Sequence, residues 1–131
     1  MASTATPRFS VGLMRAVDFL EHVPQKVPLI NEPYRLLAPG GMLLTMTPSS
    51  DGRGAYQDPT RVAYDNENSF WYYTDNQYRA FVPDIEARFR SSRLVTYFPS
   101  EWHSKNNISY VVANLIAMKE GAPRCGGPLL V

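Results

Sequence analysis

The sequence predicts an α/β fold in which a parallel strand and a closing antiparallel strand pair form the sheet and helices pack on it. Three observations carry that reading. Residues 17–50 run from the acidic strand end Val17-Asp18 through an amphipathic stretch to Pro39-Gly40-Gly41, then into the apolar run Met42-Leu43-Leu44-Thr45-Met46, the order of one strand-helix-strand step. Two later apolar runs, around Val95 and Val112, flank the polar interval Ser104-Lys105-Asn106-Asn107, which reads as an antiparallel hairpin. A hydrophobic share of 44% and an aromatic share of 12% over 131 residues supply a core for one domain and are too little for two.

Composition also excludes several functions. The net charge of +1 gives no general pull toward nucleic acid or an anionic membrane. No apolar run reaches the roughly 18–20 residues of a membrane span. Cys125 is the single cysteine, so no internal disulfide and no four-cysteine zinc site can form, and a reducing, cytoplasmic setting is expected. The division expected is a flexible start at 1–12, a folded part at 13–120 and a flexible tail at 121–131, where Pro and Gly recur.

Taken in order, residues 11–17 read as a short strand. Residues 18–23 follow as the turn and first helical residues, and on a helix Asp18, Glu21 and His22 would share one face. Residues 25–38 read as an amphipathic helix ended by the Pro-Gly-Gly turn. Pro33 conflicts with that helix at a cost of about 3 kcal/mol, so the sequence predicts either a kink or a fresh helix there. A strand at 41–47 precedes a long loop rich in Gly, Pro, Asn and Asp, whose aromatics Tyr56, Tyr64, Phe70, Trp71, Tyr72 and Tyr73 argue against disorder. Thr74-Asp75 reads as the cap of a helix over 77–81, residues 85–90 as a further short helical piece, and 92–102 and 108–119 as the closing strands.

The linked segments Asp18-Phe19-Leu20-Glu21-His22-Val23-Pro24, Tyr34-Arg35-Leu36-Leu37-Ala38-Pro39-Gly40-Gly41-Met42-Leu43-Leu44 and Thr47-Pro48-Ser49 resemble the C-terminal half of a class I S-adenosylmethionine-dependent methyltransferase, of the type 11 kind. The resemblance covers residues 16–120. It implies a partial Rossmann-like methyltransferase sheet, S-adenosylmethionine as cofactor, a small-molecule methyl acceptor, and cofactor contacts at Val17, Asp18 and Phe19. It also implies a glycine-rich turn after the first strand of the full fold, and that turn is missing here: Gly52-Arg53-Gly54 lies after the wrong strand and reads as a loop turn. A cofactor deprived of half its contacts binds weakly or not at all.

Chemistry at the strand ends follows from residue types. Asp18, Glu21 and His22 resemble the Glu-x-x-Glu-His metal set of some O-methyltransferases and could hold a divalent metal. The bland reading is that acids at a helix start complement its dipole and free N–H groups. Methyl transfer to a hydroxyl needs a base; His22 is the first candidate and His103 the second, since histidine titrates near neutral pH. Tyr56, Asp58, Trp71, Tyr72 and Tyr73 are the expected acceptor-binding residues, although some of the aromatics must be core. A rival reading makes the chain a non-catalytic interaction module derived from a methyltransferase, its bare sheet edge covered by a second copy or by another chain; the protein partners expected are a second copy or the missing N-terminal half.

Overall fold

The computed structural model describes residues 11–119; the expectations for the start before Val11, for the tail from Gly121 and for Cys125 lie outside the described residues. Strand β1 (Val11–Val17) leads through a single 3₁₀ turn, Leu20–His22, into α1 (Lys26–Leu36), and α1 runs directly into β2 (Leu37–Pro48). Short helices α2 (Gly54–Gln57), α3 (Trp71–Thr74) and α4 (Asn76–Arg79) fill the long connection to β3 (Phe89–Tyr97), and α5 (Glu101–Lys105) joins β3 to β4 (Tyr110–Ala117). β1 and β2 are parallel, with Leu43 opposite Met14. β4 inserts antiparallel between β2 and β3, with Val112 opposite both Met46 and Val95, so the sheet order is β1-β2-β4-β3. The α/β reading and the closing antiparallel pair are both borne out.

Several boundaries differ from the expectation for physical reasons. Pro39-Gly40-Gly41 does not stand between helix and strand but bulges within β2: Val11 pairs with Leu37 and Leu13 with Met42, and Gly40 takes a φ of 81°, which glycine accepts without penalty. The end of α1 is closed instead by Lys119, whose ammonium donates to the carbonyls of Tyr34, of Arg35 (3.4 Å) and of Leu37 (2.6 Å) and so serves the unpaired last turn. α1 continues through Pro33 rather than breaking. Pro33 lies in the last turn, where one lost bond is offset by burial of Ile30 and by the edge-on contact of Tyr34 with Phe89, 5.4 Å between centroids.

The helical piece expected over 85–90 does not form: residues 89–90 open β3, and Asn31 of α1 clamps residues 84–87. Its side-chain amide donates to Asp84 O (2.9 Å), and its oxygen accepts from the N–H groups of Glu86 (2.8 Å) and Ala87 (3.0 Å). The strand expected over 92–102 runs earlier and stops at Tyr97; Ser100 then caps α5, so Trp102 and His103 ride on a helix. Asp75 caps α4 through Gln77 N–H at 2.7 Å, as expected.

The two faces of the sheet are unlike. On the first, Leu43, Thr45 and Thr47 of β2 and Val111, Ala113, Leu115 and Ala117 of β4 are buried beneath Leu20, Ile30, Phe70, Tyr73 and Ile85. On the second, the alternate residues Met42, Leu44, Met46, Val112 and Ile116 stay half-buried, and Leu13 and Val17 are exposed. None of these seven joins the core cluster.

The loop after β2 is seated by two glycines against the residues before β4. A Cβ on Gly52 would lie 2.7 Å from Asn107 O, and one on Gly54 2.5 Å from Ile108 Cγ2, whereas one on Gly12 meets nothing. Gly52→Ala and Gly54→Ala are therefore each expected to destabilise the fold by about 1–3 kcal/mol, and Gly12→Ala not at all. Urea denaturation of the three variants checks this.

Candidate active site

β1 and β2 end side by side, and a polar cluster gathers at that edge, where open α/β sheets bind ligands. Asp18 ends β1 with its N–H bonded to Met46 O (2.9 Å) and a φ of 54°, a conformation that aspartate tolerates better than most residues. This turn directs Asp18 away from the following 3₁₀ segment, so Asp18, Glu21 and His22 do not share a helical face. The expected metal set is dispersed: among the described residues no group of three His, Cys, Asp or Glu side chains is placed to hold a metal.

Glu21 is instead turned inward and is only 1% exposed. One carboxylate oxygen accepts from the Thr47 hydroxyl at 2.7 Å. The other has no hydrogen-bond partner among the described residues; His22 Nε2 stands 3.6 Å away and Arg61 Nε 3.9 Å away. The Glu21 carbonyl accepts from Val62 (2.8 Å) and Ala63 (3.0 Å), which folds the long loop back over the edge.

His22 is oriented from its other side. Its Nδ1 lies 2.9 Å from Thr60 O, and since a carbonyl only accepts, Nδ1 carries a hydrogen and Nε2 is turned to the Glu21 side. The Thr60 N–H and hydroxyl both donate to Asp58, at 2.9 and 2.7 Å; these two bonds hold the Asp58 carboxyl below its usual range. The arrangement therefore sets His22 Nε2 beside the Glu21 carboxylate, 3.6 Å from one of its oxygens, with the imidazole as the proton-accepting group of the cluster.

His103 reaches the same edge by another route. Its Nδ1 is 2.7 Å from Ser100 Oγ, and its ring stands edge-on to Tyr110, 5.9 Å between centroids. Burial, then a hydrogen bond to Asp18 and the negative charge there, push the Tyr110 phenol up to about 12. Tyr110 thus links Asp18 to His103.

The acceptor residues expected from the sequence separate into three places. Tyr56 is exposed and packs on Tyr64 (4.9 Å), within one short loop of Asp58, Thr60 and the His22 side. Trp71 lines a cleft of ≈ 810 Å³ at the opposite end of β3, with Tyr78, Arg79, Arg88 and Arg90. Tyr72 packs on Tyr78 at 5.6 Å, and Tyr73 is 7% exposed in the core, where burial raises its phenol to about 12. Thr47, Thr60, Arg61 and Tyr110 were missed by sequence reasoning. The period-2 run Leu43, Thr45, Thr47 could have flagged Thr47 as inward-facing; nothing local marks Arg61.

No protein-family profile and no curated protein matches the sequence. Solved structures do match the fold. An S-adenosylmethionine-dependent methyltransferase from Mesorhizobium loti superposes with a TM-score of 0.53 at 12% identity, over 85% of this chain and 64% of that one. A protein named as a sarcosine dimethylglycine methyltransferase from Galdieria sulphuraria gives 0.50 at 10% identity, over 88% of this chain and 56% of that one. The chain has the fold of part of a methyltransferase domain. It spans less than two thirds of the length of either methyltransferase. No helix of the described residues is long and apolar enough to cross a membrane.

Two outcomes test this methyltransferase-like edge. Thr47→Val leaves the Glu21 carboxylate buried without its hydroxyl donor and is expected to cost about 1–3 kcal/mol, read by urea denaturation at neutral pH. Tyr110 has a raised folded value, so its contribution is full below the ordinary phenol value of 10.0 and is lost as pH climbs toward about 12. In alkaline unfolding followed by tyrosinate absorbance, Tyr110→Phe is expected to flatten the loss of stability across that interval.

Proposed function

We propose that this chain forms the acceptor side of an S-adenosylmethionine-dependent methyltransferase, with the cofactor-gripping side supplied by further polypeptide. The observation that carries the reading is the His22 imidazole, oriented through Thr60 and backed by the buried Glu21 carboxylate, at the end of the parallel strands. When bound, the cofactor brings an already activated methyl sulfonium. Of the three residues expected to hold it, Val17 and Phe19 are 40% and 50% exposed and offer one apolar wall. Asp18 is committed to Met46 and Tyr110, so the fit is partial and affinity for the chain alone is low.

The chain's own residues would then orient and deprotonate the acceptor. His22 Nε2 takes the proton of a small acceptor's hydroxyl or ammonium group, and Glu21 stabilises the cation so formed. Asp58, joined to that histidine through Thr60, supplies a hydrogen-bond acceptor for the same molecule, and Tyr56, exposed on the same loop, supplies an apolar wall. A second reading, a non-catalytic interaction module, is favoured by the half-buried second face of the sheet.

Titration of the chain with S-adenosylhomocysteine, followed by amide NMR, separates these readings. The methyltransferase reading expects amide shifts centred on residues 17–22, with a dissociation constant of about a millimolar, and their loss in Phe19→Ala. No shift at that edge favours the module. Saturation at about a micromolar would contradict an incomplete cofactor site.

A further inference from the structure

We infer that the second face of the sheet docks a separate polypeptide that lays amphipathic helices across it, apolar side chains inward and aspartate or glutamate along both flanks. This deepens the preceding reading by naming the chemistry of the completing polypeptide. Its test contains no cofactor, so the two readings fail separately.

The strand register maps the face. One row runs Leu13, Met42, Ile116, Arg90; the next Arg15, Leu44, Asn114, Arg93; the third Val17, Met46, Val112, Val95. The apolar members fill the middle of the face, and Arg15 on β1 and Arg93 on β3 mark its two sides, with Arg90 at the β3 edge that this face shares with the Trp71 cleft. All three arginines are exposed, and none makes an ion pair with a carboxylate among the described residues. Four strands at about 4.8 Å spacing give a width that suits two helices of roughly 10 Å. The pairing of β1 with β2 is parallel, the kind of ladder that in all-parallel sheets is covered on both faces, and among the described residues the core cluster lies on one face.

The charges choose among occupants. In a face-to-face pair of copies related by a twofold along the strands, β1 of one copy lies over β3 of the other, and Arg15 meets Arg93. Like charges at that range disfavour the pair. A lipid surface would have to accept Asn114 in the midst of the apolar rows, without a bonding partner. Acid-flanked helices meet both demands: carboxylates reach the arginines, and a side chain on the helix can serve Asn114.

The test uses the full chain and two labelled 20-residue helical peptides with identical Leu/Ala faces, one flanked by Glu and one by Lys, read by fluorescence anisotropy. The Glu peptide is expected to bind, to lose most of its affinity in Leu44→Glu, and to weaken at least about tenfold, a change of 1.4 kcal/mol, in the Arg15→Glu/Arg90→Glu/Arg93→Glu variant. That charge-reversed variant is expected to take the Lys peptide instead. Equal binding of both peptides, or of neither, overturns the inference. So does self-association in sedimentation that Leu44→Glu abolishes, which would make a second copy the occupant. Co-sedimentation with phosphatidylserine vesicles that Leu44→Glu abolishes, without preference for the Glu peptide, overturns it in favour of a membrane.

Discussion

Everything at the candidate site depends on the antiparallel register between β2 and β4. That ladder sets Thr47 opposite Val111 and Pro48 opposite Tyr110, and it carries β3 on its far side. A slip of one residue would turn Thr47 away from Glu21 and carry the buried row of β4 to the other face. A one-residue slip is disfavoured because the buried side chains of β4, Val111, Ala113, Leu115 and Ala117, alternate without interruption, so it would expose them all together.

Given that register, the site is a consequence of how one buried acid is satisfied. A carboxylate in the interior is costly unless donors surround it. Glu21 has one firm donor, Thr47, and two cationic or cation-forming groups, Arg61 and His22, just beyond hydrogen-bond distance. The same residue anchors the loop through its backbone carbonyl. Folding the loop over the edge and positioning the histidine are therefore one event, which is why the irregular stretch after β2 is ordered despite its Gly, Pro and Asp content. Gly52 and Gly54 let that stretch lie close against residues 107–109.

The second face of the sheet reads differently. Its rows are apolar in the middle and cationic at the sides, and among the described residues the core gathers on the opposite face. The solved methyltransferases that share the fold extend well beyond what this chain matches. The acid-flanked helices we propose for that face would bury its apolar rows and meet its arginines.

The sequence by itself determined the α/β class, the parallel step from β1 to β2 and the closing strands, because these rest on local periodicity and on punctuation by Gly and Pro. It also placed His22 and Glu21 at the strand end. Tertiary structure alone decided which way Glu21 faces, since Asp18 takes a left-handed turn that no residue spacing encodes. It drew Thr47, Thr60, Arg61 and Tyr110 to the same edge from distant parts of the chain, through β pairing and loop return. It separated Trp71 and Tyr73 from Tyr56, because aromatic residues in a loop serve core and surface alike until packing assigns them. The ends of α1 and β3 were likewise set by long-range partners, Lys119 and Asn31, whose bonds cross more than 50 residues and leave no trace in a local window.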